Sequence, residues 1–105
     1  MKPLLAVLVG ASLVSSGLAH AQTADDLLKK YACTACHAVD KKLVGPAYND
    51  VAAKYRGDAK APAVLMDKVK KGGVGNWGQV PMPPNAAVPD ADIKTMVTYI
   101  LALKK

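Results

Sequence analysis

Apolar residues recur at the three- and four-residue spacing of an amphipathic α-helix in four segments of the chain. The positions are Leu27, Leu28 and Tyr31; Tyr48, Val51, Ala52 and Tyr55; Leu65 and Val69; and Ile93, Met96, Val97, Ile100 and Leu101. No segment alternates between apolar and polar residues as a half-buried strand does. The pattern therefore predicts an all-α fold of four helices.

Residues typical of helix ends border each of these segments. Thr23 is a suitable N-cap for the first helix, and Pro46 fits the first position of the second. We expect the third helix to start near Pro62 and to stop at Gly72, and the fourth to begin around Pro89. The first helix is expected to run into the region of the two cysteines.

The segment between the third and fourth helices, residues 72–85, is long for so small a protein. Loops of this length without regular structure are usually functional or disordered. Trp77 and the run Pro81-Met82-Pro83-Pro84 argue against disorder, because they combine an apolar anchor with a stiff backbone. We interpret the segment as a functional loop without secondary structure.

The N-terminus has the features of a secretory signal. Met1-Lys2 precedes an apolar run over residues 4–14, and Ala19-His20-Ala21 supplies a small-x-small cleavage pattern. That run is shorter than the roughly 20 residues that span a bilayer, although a retained N-terminal anchor is the alternative. We expect residues 1–21 to be removed, leaving 22–105 as one exported domain without stable membrane insertion.

Composition and charge limit what such a domain can do. It lacks Phe and has one Trp, so a bound cofactor would help to complete its core. The full chain has a formal net charge of +6, and much of it comes from paired lysines. A basic surface speeds association with acidic protein partners. Nucleic acid is not expected, because the chain reads as exported and carries no nucleic-acid-binding motif.

The run Cys33-Thr34-Ala35-Cys36-His37 carries the most specific chemistry in the chain. Two thiols three positions apart reach the two vinyl groups of one protohaem, and the following imidazole reaches the iron. A disulfide would give His37 no role, and a zinc site wants four ligands. A thioredoxin-like pair expects a βαβ setting, which is not visible. We therefore predict one covalently bound haem c.

A second side chain is needed if the iron is to have two protein ligands. Met66 and Met96 lie within helical patterns, where methionine usually fills core space. Met82 lies instead in the loop between Pro81 and Pro83, which restrict its backbone and lower the entropy cost of holding a weak ligand. We predict Met82 as the sixth ligand.

Ligation by His37 and Met82 would close both axial positions and raise the reduction potential. An enzyme or gas carrier needs an open position, so this site is expected to transfer electrons without catalysing a reaction. The alternative is a haem-based gas-binding or sensor module, which would require a labile Met82.

Over residues 26–104 the chain resembles the small class I bacterial monohaem cytochromes c of the c-551/c-552 type, also called cytochrome c8. The resemblance rests on Cys33–His37, on Val44-Gly45-Pro46-Ala47-Tyr48, and on Trp77-Gly78 followed by residues 80–85, Val-Pro-Met-Pro-Pro-Asn. It implies an all-α class I cytochrome c fold, with about four helices wrapped around one haem c.

The resemblance also implies roles for surrounding residues. The Pro46 carbonyl would accept a hydrogen bond from His37, Trp77 would approach a haem propionate, and Asn85 would lie near the Met82 sulfur. Lys68 stands where family members often place an arginine near the propionates, and lysine cannot make the bidentate contact of a guanidinium.

The implied activity is one-electron transfer in the periplasm. The donor would be a membrane cytochrome complex, and the acceptor a terminal reductase, such as nitrite reductase, or an oxidase. We expect a monomer that docks transiently through apolar surface beside Cys33, Val44, Pro81 and Pro83, steered by nearby lysines.

Overall fold

Four helices make up most of the described chain. The computed structural model describes residues 22–104, and the predicted signal segment 1–21 lies outside them. The helices are α1 (Ala24–Lys30), α2 (Tyr48–Lys54), α3 (Ala61–Lys71) and α4 (Asp90–Leu101). A short 3₁₀ turn, Cys33–Ala35, follows α1. The four predicted helices are therefore confirmed, except that α1 ends before the cysteines.

The predicted helix starts are right at α1 and α4, within a residue at α3, and wrong at α2. Thr23 caps α1 in a capping box, since its hydroxyl accepts from the Asp26 backbone N–H at 3.2 Å while the Asp26 carboxylate accepts from the Thr23 N–H. Helix α2 begins only at Tyr48, with Ala47 as its N-cap. Pro46 stays outside the helix, and its carbonyl is used elsewhere.

The segment after α3 is a β-hairpin, so its prediction as a loop without secondary structure was wrong. Strand β1 (Gly73–Gly75) pairs antiparallel with β2 (Gly78–Met82), placing Gly73 opposite Met82 and Gly75 opposite Gly78. The sequence hides these strands because glycines carry no alternating side-chain pattern. Backbone pairing between the two strands forms the hairpin.

The core lies where α4 packs against α1, α2 and α3. The side chains of Tyr31 and Lys70 reinforce this packing. The Tyr31 hydroxyl donates to the Asp92 carboxylate at 2.7 Å, which raises the pKa of Tyr31, and the Lys70 ammonium contacts both Val88 O and Asp90. The largest buried cluster consists of Leu27, Leu28, Tyr48, Val51, Val88, Ile93, Met96, Val97 and Ile100.

Ala32 has a left-handed backbone, with φ of 59°, where α1 gives way to the turn that carries the cysteines. A β-carbon is disfavoured in this region by about 1–2 kcal/mol, whereas glycine is not. We expect Ala32→Gly to raise the free energy of unfolding of the holoprotein by about 1 kcal/mol in denaturant titrations.

Ala53 provides the matched control, because it is exposed within α2. Ala53→Gly should lower the free energy of unfolding by roughly 0.5–1 kcal/mol, the usual cost of glycine within a helix. Destabilisation by Ala32→Gly would contradict the strain assigned to Ala32.

None of the helices within residues 22–104 is long and apolar enough to cross a membrane.

Candidate functional site

An apolar cleft lies between the 3₁₀ turn, the hairpin and helices α2, α3 and α4. Its empty volume is about 1360 Å³, counted to include the open mouth. Every predicted site residue lines it: Cys33, Cys36, His37, Pro46, Trp77, Met82 and Asn85. The fold thus brings together residues that lie up to 52 positions apart in the sequence.

The two cysteines are placed by the 3₁₀ turn. The backbone N–H groups of Cys36 and His37 both donate to Cys33 O, at 3.2 and 3.0 Å. Side chains three residues apart eclipse each other in a 3₁₀ turn, so both thiols share one side. Both are free and half-buried, and burial raises the pKa of the Cys33 thiol. The turn therefore places two thiols, which form no disulfide, at the cleft.

The His37 imidazole is fixed by contacts at its edge and its face. Its Nδ1 lies 2.8 Å from the Pro46 carbonyl, which can only accept, so Nδ1 donates this hydrogen bond. In a neutral imidazole that tautomer leaves the lone pair on Nε2. The Tyr48 ring stacks on the imidazole, with centroids 4.9 Å apart and planes at 18°. This arrangement suits Nε2 to bind a metal ion.

Gly45 also shapes the histidine site, although neither it nor Tyr48 was predicted as a site residue. A β-carbon at Gly45 would lie 2.9 Å from His37 Nδ1 and closer still to Cε1, so any side chain there would collide with the ring. The only local feature of the sequence that could have pointed to Gly45 was its position directly before Pro46. Contact with the imidazole becomes visible only in the folded chain.

Met82 lies at the end of β2 and is half-buried. Of the other predicted candidates, Met66 packs against the core and does not line the cleft, whereas Met96 on α4 is buried and does line it. The Asn85 side-chain amide donates to Val69 O at 3.1 Å and to Pro83 O at 3.3 Å. Asn85 thus holds the backbone that follows Met82.

Trp77 and two lysines lie at the hairpin end of the cleft. The Lys54 ammonium lies 4.8 Å from the Trp77 ring centroid and donates to Asn76 O at 3.4 Å. This cation–π contact ties the hairpin turn to the end of α2. Lys68 lines the cleft from α3, with its side chain beside Gly73.

The residues of the cleft fit a covalently bound haem. They supply two free thiols, an imidazole with an available nitrogen and a thioether, set in apolar walls. Within residues 22–104, no group of three or more His, Cys, Asp or Glu side chains that could hold a metal ion is found. The imidazole and the thioether are side chains that ligate haem iron.

Comparison with protein families and curated proteins gives consistent matches. The family model described as cytochrome c matches residues 21–104. Cytochrome c-551 of Allochromatium vinosum is 68% identical over 77 residues, covering 73% of this chain and 82% of that protein. Cytochrome c-551 of Pseudomonas aeruginosa is 47% identical, covering 99% of this chain and all of that protein.

The fold agrees with that of solved structures. The crystal structure of wild-type Nitrosomonas europaea cytochrome c552 superposes with a TM-score of 0.74 at 52% sequence identity. The match covers 76% of this chain and 99% of that one.

Proposed function

The chain belongs to the cytochrome c family, whose members carry covalently attached haem c, and we propose that it is a one-electron carrier of the periplasm. The observation that carries the proposal is the meeting of Cys33, Cys36, His37 and Met82 in one apolar cleft. The haem supplies reversible one-electron exchange between ferric and ferrous iron. The chain attaches the haem, ligates its iron and excludes water from it.

The four residues would hold the haem in three ways. Cys33 and Cys36 would hold it through thioether bonds, because the 3₁₀ turn places their sulfurs on one side. His37 would ligate the iron through Nε2, and its hydrogen bond to Pro46 O sets the ring orientation and raises the basicity of Nε2. The Met82 sulfur would be the second protein ligand of the iron.

Trp77, Asn85 and Lys68 would support the haem from the hairpin side. Trp77 would approach a propionate with its indole N–H, and Lys68 would offer a single positive charge nearby. The amide of Asn85 is already used in holding Val69 O and Pro83 O, so we propose that it steadies the Met82 loop through the backbone.

With His37 and Met82 both bound, the iron would have no open position for a substrate. The proposed electron exchange is therefore outer-sphere, and the protein would be a carrier and not an enzyme. Leu43 and Val44 are 43% and 52% exposed beside the lysine pair 41–42. With Pro81 and Pro83, Val44 gives an apolar contact surface, and the lysines steer acidic partners towards it.

In this proposal the protein is a monomer that shuttles between a membrane cytochrome complex as donor and a terminal reductase or oxidase as acceptor. The signal-like pattern of residues 1–21 supports export to the periplasm, where covalent attachment keeps the haem with its chain.

Carbon monoxide tests whether the iron is closed. We expect the ferrous holoprotein to show no change in its absorption spectrum when titrated with carbon monoxide at neutral pH, because His37 and Met82 occupy both axial positions. The protein unfolded in denaturant is the positive control, because the Met82 loop no longer holds the sulfur on the iron. Ready binding to the folded protein would refute the carrier and favour a gas-binding module.

A further inference from the structure

The C-terminus of α3 lies directly against the backbone around Met82. Gly72 follows the last residue of α3 with φ of 74°, and its N–H donates to Lys68 O at 2.7 Å. A β-carbon at Gly72 would overlap Met82 O and lie 2.9 Å from Pro84 N and 3.0 Å from Pro83 C. These neighbours are backbone atoms, which cannot turn aside as the end of a flexible side chain can.

Hydrogen bonds hold this contact together. The Val69 carbonyl, in the last turn of α3, accepts from the backbone N–H of Asn85 at 3.0 Å and from its side-chain amide at 3.1 Å. On the other side, the hairpin pairs Gly73 with Met82. The chain is therefore fixed to the end of α3 at Met82 and three residues beyond it.

We propose that Gly72 is a positioning residue for Met82. Because glycine has no side chain, the end of α3 can pack against the Met82 backbone and hold it where the Met82 sulfur would reach the iron. The inference rests on the assignment of Met82 as axial ligand under the proposed function. A thioether is a weak ligand for iron, so a small displacement of its backbone weakens the bond and favours competing ligands.

Gly57 offers a matched control. Its φ of 79° is close to that of Gly72, but a β-carbon there would meet nothing within 4 Å. Gly57→Ala therefore adds a β-carbon at a positive φ without any new contact. Gly72 combines its positive φ with a ψ of −171°, a conformation that is almost exclusive to glycine, and with the contact to Met82 O. A difference in iron ligation between the two variants therefore reports what is specific to Gly72, its backbone conformation together with that contact.

The experiment uses the ferric holoproteins, titrated with imidazole and monitored at the weak long-wavelength band of sulfur bound to ferric iron. We expect Gly72→Ala to bind imidazole at least about tenfold more tightly than the parent, because a weakened bond between Met82 and iron competes less with imidazole. A tenfold change in affinity corresponds to about 1.4 kcal/mol. Its sulfur band should weaken. Gly57→Ala should match the parent in both measurements.

Gly72→Asn repeats the test with a second side chain. Asparagine also places a β-carbon against Met82 O, so this variant should likewise bind imidazole more tightly than the parent. Measuring both variants keeps the test available if one of them is too unstable to purify. Parent-like binding by Gly72→Asn, or equal effects of Gly72→Ala and Gly57→Ala, would overturn the role of Gly72. A parent without the sulfur band would instead refute Met82 as ligand.

Discussion

Replacing Met82 with alanine should lower the reduction potential of the holoprotein and open the iron to external ligands. A thioether ligand favours ferrous iron, and axial ligands set haem potentials over a span of about 0.8 V. We expect a fall on the order of 100 mV in a potentiometric titration, within that span. The ferrous variant should also bind carbon monoxide, unlike the parent.

The other methionines in the described chain provide the controls. Met66 packs against the core outside the cleft, so Met66→Ala should lower the free energy of unfolding by about 1–2 kcal/mol and leave the potential unchanged. Met96 is the stricter control, because it lines the cleft from α4. If either variant opened the iron while Met82→Ala did not, the ligand assignment would be wrong.

The parts of the site that the sequence predicted are those encoded by neighbouring residues. The spacing of Cys33, Cys36 and His37 is itself the chemical requirement for attaching haem, so no tertiary information is needed to recognise it. Met82 could be chosen from three methionines because its flanking prolines constrain a short loop. The helices likewise follow from local periodicity.

The parts that sequence reasoning missed depend on contacts between residues that are not neighbours in the chain. The hairpin has glycines where an alternating pattern would reveal strands, and its two strands pair directly after α3. Pro46 was predicted as a helix start, but α2 begins only at Tyr48. The hydrogen bond between the Pro46 carbonyl and His37 was expected from the family resemblance alone. Gly72 likewise packs against Met82 O, which lies ten residues further along the chain. None of these contacts has a signature within a few consecutive residues.

Trp77 and Asn85 are an intermediate case, because only family resemblance pointed to them. The structure places both at the cleft, where the Lys54 ammonium lies over the Trp77 ring. For Asn85 it also indicates a more specific action than nearness to sulfur, since its amide joins the last turn of α3 to Pro83 O.

Replacing Cys36 with alanine should block stable haem attachment and leave a poorly folded chain. The physical reason is that the core and the cleft share their residues: Leu28, Tyr48, Val51, Ile93, Met96, Val97 and Ile100 belong to both. These residues form the floor of the cleft, and without haem its apolar walls, including Val44, Trp77 and Val80, would face water. A domain this small has only about 5 kcal/mol of stability to lose.

The measurement combines haem staining after denaturing electrophoresis with circular dichroism of the purified chain. Cys36→Ala should lose the stain that survives denaturation, together with most of the helical signal and the cooperative thermal transition. Thr34→Ala is the matched control, because Thr34 lies exposed between the two cysteines and offers no thiol. It should retain haem and fold like the parent. A compact apoprotein of Cys36→Ala with a cooperative transition would show that helices α1 to α4 pack stably alone, and that haem is held by the core without completing it.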